Sequence, residues 1–154
     1  MGSISVFGTG CAALTLALAA FPLRAAEAPT PLATVEAAIT GVRNARGNVL
    51  VCMTANAKAY PDCGKDPKSR KLSLPARSSM TARFEDVPPG TYAIALIHDE
   101  NGNNKMDLAV FIPKEGFGMS RNPKIGMGPP SFKSAAFAVG AAGVKLPITM
   151  KYMF

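Results

Sequence analysis

The stretch Phe84-Glu85-Asp86-Val87-Pro88-Pro89-Gly90-Thr91-Tyr92-Ala93-Ile94-Ala95-Leu96-Ile97-His98 decides the fold. Pro88, Pro89 and Gly90 are turn residues, because proline pre-sets φ early in a turn and glycine closes it. Ahead of the turn, Ser79–Phe84 reads as a strand. Behind it, Thr91–Ile97 is apolar on both faces. Period-two alternation fails there, which is expected of a central strand covered on both sides. His98 ends that strand.

Working outward, Val35, Ala37 and Ile39 alternate with small or polar neighbours and read as a strand. Asn44-Ala45-Arg46-Gly47 is turn chemistry, and Val49–Met53 is a second, more buried strand. The two are expected to pair as a hairpin. A short strand follows at Lys71–Leu74. Near the end, Ala135–Val139 and Val144–Tyr152 are strands. In the latter, Val144, Leu146, Ile148 and Met150 face one way, while Lys145, Pro147, Thr149 and Lys151 face the other. Pro147 places it at a sheet edge. No segment has the period of an amphipathic helix. The 14 glycines and 13 prolines in 154 residues also argue against a helical bundle. About seven short strands with turns between them predict an all-β, antiparallel sandwich. It is expected to occupy residues 35–154 as a single domain.

Ahead of the sandwich, Val6–Leu23 is almost wholly apolar or small. With the small residues that follow, it reads as a secretory signal peptide over residues 1–26. Residues 27–34 form a proline-containing, flexible leader. The apolar run is short for a hydrocarbon core of about 30 Å, and Pro22 and Arg24 close it. No stable membrane span is therefore expected after processing, and the location is periplasmic or secreted. In an oxidising compartment, Cys52 and Cys63 are expected to form a disulfide. No Cys-x-x-Cys and no neighbouring His points to metal or redox chemistry at that pair.

The chain holds 17 basic and 10 acidic residues, with one His and no Trp. Lys58, Lys65, Lys68, Arg70, Lys71 and Arg77 concentrate positive charge in one loop region. One reading of that run is a module for anionic envelope ligands, such as lipid head groups or polysaccharide. Nucleic acid is not expected as a partner, because no aromatic residues interleave with the charges.

The segment with the most chemistry is Asp99-Glu100-Asn101-Gly102-Asn103-Asn104-Lys105-Met106-Asp107. Oxygen side chains fall at positions 1, 3, 5 and 9, the spacing of an EF-hand-type calcium loop. Calcium takes six to eight hard oxygens, which alternate residues of a tight loop can supply. Asp99 and Asp107 would bring charge, Asn101 and Asn103 amide oxygens, and Lys105 its main-chain carbonyl. Asn104 stands where glycine is usual, and asparagine tolerates the positive φ required there. Position 12 is Val110, not a bidentate Glu. Glu100 and Glu115 are candidates for the missing carboxylate, a choice that spacing does not make. The metal-free alternative is an Asx-rich turn. A long irregular stretch follows to Ser131, in which Phe117, Met119 and Phe132 would pack against the sandwich. Arg121 and Lys124 are its candidate anion-binding residues. His98 reads as a strand-end residue that orients the loop rather than as a catalytic base, because adjacent strand residues point to opposite faces and Asp99 is awkwardly placed to assist it.

The corner Phe84–Tyr92 resembles that of carboxypeptidase-regulatory-like and transthyretin-like β-sandwiches. The longer string PPGTYAIALIHDENGNNKMD, IPKEGFGMSRNP and PPSFKSAAF resembles exported bacterial proteins grouped as domain of unknown function 2141. That resemblance implies a transthyretin-like (prealbumin-like) sandwich and a periplasmic or cell-surface setting, with no established activity. Transthyretin-like hydrolases of 5-hydroxyisourate end in Tyr-Arg-Gly-Ser, whereas this chain ends Lys151-Tyr152-Met153-Phe154. The expected role is thus a non-enzymatic module with no catalytic residues. Its loop would hold calcium and order the long segment behind it against an envelope or extracellular protein or glycan.

Overall fold

The computed structural model describes residues 30–126 and 128–154, together with Gly2. The expected signal peptide, Gly2 apart, and the first residues of the expected leader lie outside the described residues. In chain order the elements are β1 (Ala33–Thr40), β2 (Asn48–Thr54), β3 (Arg70–Pro75), β4 (Ser79–Val87) and β5 (Gly90–Asp99). There follow β6 (Leu108–Ala109), β7 (Ile112–Pro113), β8 (Gly116–Met119), the short helical turn α1 (Phe132–Ala135), β9 (Phe137–Val139) and β10 (Val144–Thr149).

The strands build two facing layers. One sheet has the order β10-β1-β4, and the other β3-β2-β5-β8, with β9 pairing the start of β5. Alternation explains the packing. Val35, Ala37 and Ile39 of β1, Ala82 and Phe84 of β4, and Leu146 and Ile148 of β10 are buried. They meet Val49, Val51 and Met53 of β2 and Ile94 and Leu96 of β5 in one apolar cluster. This is the expected all-β sandwich, and β5 is central, between β2 and β8. The corner ahead of β5 closes on itself, because the Tyr92 hydroxyl donates to the Pro88 carbonyl at 3.0 Å.

The reason β5 is apolar on both faces lies in the long segment after Asp99. Ala93, on the face turned away from the main core, packs with Phe117, Met119 and Ala135, and with the partly buried Tyr60, Met106, Ile125 and Phe132. Buried Ser120 fastens this cover. Its hydroxyl donates to the Ala135 carbonyl at 2.6 Å and accepts the Ile94 N–H at 2.9 Å. The expected packing of Phe117, Met119 and Phe132 is therefore found.

The structure corrects the expected pairing in three places. First, β1 and β2 do not form a hairpin. β1 pairs antiparallel with β4, whereas β2 pairs with β3 and β5. Residues 41–47 cross between the two layers, and turn residues look alike in a hairpin and in a crossing. Second, β1 and β10 are parallel, with Val35 opposite Val144 and Ile39 opposite Ile148. β10 is nonetheless an edge strand, as Pro147 requires. Third, the long stretch is not irregular throughout, because β8 extends the central sheet. Its Gly116 and Gly118 conceal it as a strand, yet both are needed for close approach. A Cβ on Gly118 would lie 3.0 Å from Ile148 and 3.1 Å from Leu96. The leader is also shorter than expected. Ala33 is buried and pairs with Val87, so β1 begins ahead of residue 35.

Cys52 and Cys63 form the expected disulfide, with Cα atoms 6.4 Å apart. It pins the loop between β2 and β3. Within that loop, Asp66 accepts the Thr54 hydroxyl and the Lys68 N–H. Those bonds, the Thr54 one foremost, hold the Asp66 carboxyl below its ordinary range.

Candidate functional site

The 99–107 loop leaves the end of β5. Asp99 is wholly buried. Its Oδ1 accepts the N–H groups of Gly102 (2.8 Å) and Asn103 (3.1 Å), and its Oδ2 that of Asn104 (2.8 Å). Asx turns continue the winding. Asn101 Oδ1 accepts the Asn103 N–H at 3.0 Å, and Asn103 Oδ1 the Lys105 N–H at 3.1 Å. Asn104 takes the positive φ expected of it, at 60°. The loop closes on Asp107, whose Oδ2 accepts the side-chain N–H groups of Asn101 (2.7 Å) and Asn103 (2.9 Å). Those two bonds, aided by the charges of Lys105 and Lys114, hold the Asp107 carboxyl below its ordinary range.

Asp99, Asn101, Asn103 and Asp107 are thus gathered in one loop, and the Lys105 side chain is exposed to solvent. The amide nitrogens, rather than the oxygens, face Asp107. Among the described residues, no group of three or more His, Cys, Asp or Glu side chains is placed to hold a metal ion. The loop offers two carboxylates, two amides and a main-chain carbonyl as oxygen donors, with the amide oxygens of Asn101 and Asn103 engaged by backbone N–H groups.

Spacing did not choose between Glu100 and Glu115, but the geometry separates them. Glu115, beside the Gly116 end of β8, is only 4% exposed. Its Oε2 accepts the Asp107 N–H at 3.1 Å. Its Oε1 is buried with no hydrogen-bond partner among the described residues. Burial raises its carboxyl above the ordinary range, with the charges of Asp107 and Asp99 adding to the rise and the backbone N–H groups of Asp107 and Glu100 opposing it.

Glu100 turns to the other side. Its carboxylate receives Arg43 Nε at 2.8 Å and Nη2 at 2.7 Å, a two-pronged pair, and Asn44 Nδ2 at 2.6 Å. The Arg43 guanidinium stacks 4.5 Å above the Tyr152 ring and donates to the Phe154 carbonyl. His98, wholly buried, joins the same network. Its Nε2 lies 2.8 Å from the Arg46 carbonyl and its Nδ1 2.8 Å from the Tyr152 hydroxyl. A carbonyl only accepts, so in the neutral ring the proton sits on Nε2 and Nδ1 accepts from Tyr152. His98 and Asp99 point to opposite faces, as expected, and His98 anchors the chain's end to the root of the loop.

This network makes a pH prediction. Chiefly through Arg43, and also through Asn44, the Glu100 carboxyl is held down at about 2, against an ordinary 4.5. A carboxyl depressed on folding stabilises above its unfolded pKa, and that stabilisation is lost as pH falls through the folded value. Glu100→Gln is expected to cost about 1–2 kcal/mol at pH 7, a figure discounted for the part-exposed guanidinium. The deficit relative to wild type should close between pH 4.5 and about 2, read by urea unfolding across that range.

Sequence reasoning missed one feature beside the loop. Leu108–Pro113 forms the two-stranded hairpin β6–β7, with Ala109 opposite Ile112. Its two-residue turn is Val110-Phe111, with φ of 56° and 109°. Positive φ at both turn positions is the territory of Asn-Gly, and costs an L-residue about 1–2 kcal/mol each. Val110 and Phe111 are nevertheless 85% and 92% exposed. The available signal was an apolar run, Leu-Ala-Val-Phe-Ile, between the charges of Asp107 and Lys114 in a segment otherwise rich in turn residues.

The remaining candidates lie apart from the loop. Arg121 donates to the Ala136 carbonyl at 3.1 Å, and Lys124 is exposed. Among the described residues no hydrogen bond or ion pair joins Arg121 and Lys124 to a common point. In the basic run, Arg70 is engaged structurally, donating to the carbonyls of Glu85 and Asp86 at 2.6 Å each. The cleft beside it, about 460 Å³, is lined by Asp66 as well as Lys68 and Arg70 and is mixed in charge. Among the described residues, no helix is long and apolar enough to cross a membrane.

Comparison with curated proteins and with solved structures gives no match. The model of a bacterial family matches residues 37–146, a span from the middle of β1 into β10 that includes the loop, Glu115 and the hairpin. The chain therefore belongs to the family described as "Uncharacterized protein conserved in bacteria (DUF2141)".

Proposed function

We propose that this chain is an exported, non-enzymatic β-sandwich module whose 99–107 loop takes up calcium and thereby orders the segment behind it for a partner. The observation that carries the reading is Glu115. Its buried carboxylate has an unpartnered Oε1 behind a loop that already brings Asp99 and Asp107. Unpaired buried charge is costly, and a divalent cation offsets it. Half-turns of the Asn101 and Asn103 amides would bring oxygen opposite Asp107 as neutral ligands, at the cost of the bonds those oxygens now accept from the Asn103 and Lys105 N–H groups. Asp99, Asn101, Asn103, the Lys105 carbonyl and Asp107 would hold the ion, with Glu115 in place of the absent position-12 carboxylate. So few fixed charges suit the weak affinity of extracellular calcium modules, about 10⁻⁴–10⁻³ M. The disulfide supports export. A non-enzymatic role is supported by the one His of the chain, which is buried with both ring nitrogens bonded.

The test uses the chain from residue 27 onward, which contains every element described above. Calcium at about ten times the dissociation constant is expected to add roughly 1.4 kcal/mol, raising the melting temperature by several degrees. Magnesium, which dehydrates reluctantly, should do less. Glu115→Gln removes the unpaired charge. It should melt higher than wild type without calcium, and calcium should not raise it further. A wild-type melting temperature that ignores calcium up to about 10 mM would sink the reading.

A further inference from the structure

We propose that the β6–β7 hairpin is a membrane-docking tip that inserts shallowly into an anionic lipid surface. The inference goes beyond the calcium reading and rests on different residues. Four large apolar side chains, Leu108, Val110, Phe111 and Ile112, are exposed together at the tip. Two of them occupy positive-φ positions that an Asn-Gly turn would fill without strain. Strain kept at an exposed site points to a use for those side chains outside the fold. Lys114 follows the hairpin directly and Lys105 lies three residues before it, both exposed, while Asp107 at the hairpin's first end is engaged by Asn101 and Asn103. Apolar side chains at a tip with lysines at its base match the layering of a bilayer, with acyl chains below and phosphates above.

The dimensions agree. Strands rise about 3.3 Å per residue, so the hairpin reaches roughly 10 Å, and interfacial elements bury about 5–10 Å into the headgroup boundary. At that depth the turn's backbone stays hydrated, which a deeper insertion would not allow. A protein partner is less well matched, since a stable interface covers on the order of 800 Å² per side and the tip is a small convex projection.

The test is co-flotation of the chain from residue 27 onward with vesicles, run both in a calcium chelator and with about 1 mM calcium, so that binding in either condition supports the tip and a difference between them reports on the calcium reading. Vesicles are phosphatidylcholine alone or with about one-third phosphatidylglycerol. Wild type is expected to float with the anionic vesicles and not with the neutral ones. The double variant Val110→Asn/Phe111→Gly should bind about tenfold less or weaker still. It should also melt several degrees higher, because Asn-Gly suits this turn, so lost binding cannot be laid to misfolding. Lys105→Gln/Lys114→Gln should remove the preference for anionic vesicles. Wild type that ignores anionic vesicles, a turn variant that binds as wild type does, or a lysine variant that keeps the preference would overturn the proposal. So would self-association without vesicles that the turn variant abolishes, which would make the tip a contact between copies of the chain.

Discussion

Asp99→Ala is expected to lower stability by about 2–4 kcal/mol and to release the loop that follows β5. The reason is the number of groups one carboxylate holds. Asp99 is buried at the end of the central strand, and its two oxygens accept three backbone N–H groups within 3.1 Å. Bonds to a charged acceptor are stronger than neutral ones, about 1.5–3 kcal/mol each, but those lost here are partly replaced by water at the exposed loop. Asn is expected to cost less than Ala, because it keeps one acceptor and the side chain's shape. Urea unfolding gives the total. Amide hydrogen exchange at Gly102, Asn103 and Asn104 should show protection lost there before elsewhere. An alanine variant within about 0.5 kcal/mol of wild type would mean that the loop is wound by its Asx turns alone.

Gly116→Ala should be similarly damaging, by about 2–4 kcal/mol, although it adds a single methyl group. The added Cβ would fall 2.8 Å from the Tyr152 hydroxyl oxygen and nearer still to its ring carbons. Tyr152 cannot yield cheaply. Its hydroxyl accepts the Arg43 N–H and is bonded to His98 Nδ1, and its ring carries the Arg43 guanidinium. Displacing the ring therefore disturbs His98, Arg43 and Glu100 together. The signature is non-additivity: Gly116→Ala combined with Tyr152→Ala should cost less than the two single changes summed, because the second removes the clash. Strict additivity would place the damage elsewhere in β8.

These particulars show which parts of the molecule are legible in its sequence. The alternation of Val35, Ala37 and Ile39 and of Leu146 and Ile148 reveals inner faces, because burial on one side of a strand leaves a period of two. The two-sided apolar run at 91–97 reveals a central strand. Pairing is less visible, since β1 meets β10 and β4 across long stretches of chain and nothing local encodes it. β8 is hidden because Gly116 and Gly118 serve close packing where strand-forming residues would not fit. In the candidate site, the oxygen spacing of Asp99, Asn101, Asn103 and Asp107 is a local pattern and can be read directly. The roles of Glu100 and Glu115 cannot, because they depend on which side of the loop Arg43 and β8 approach. The Val110-Phe111 turn contradicts turn chemistry, so rules for turns pass over it. Local rules fail most often where a site serves something other than stability.

The central claim is that calcium enters the 99–107 loop and is completed by Glu115. The most direct measurement is a calcium titration of the isotope-labelled chain from residue 27 onward by nuclear magnetic resonance, observing backbone amides and side-chain carboxyl carbons. The account predicts saturable shifts confined to residues 99–107 and Glu115, with a midpoint of about 0.1–1 mM. The Glu115 carboxyl carbon and the Asn101 and Asn103 side-chain amides should move together, since the proposal requires both amides to turn over. Spectra unchanged to about 10 mM calcium, or shifts that leave Glu115 unmoved, would contradict it.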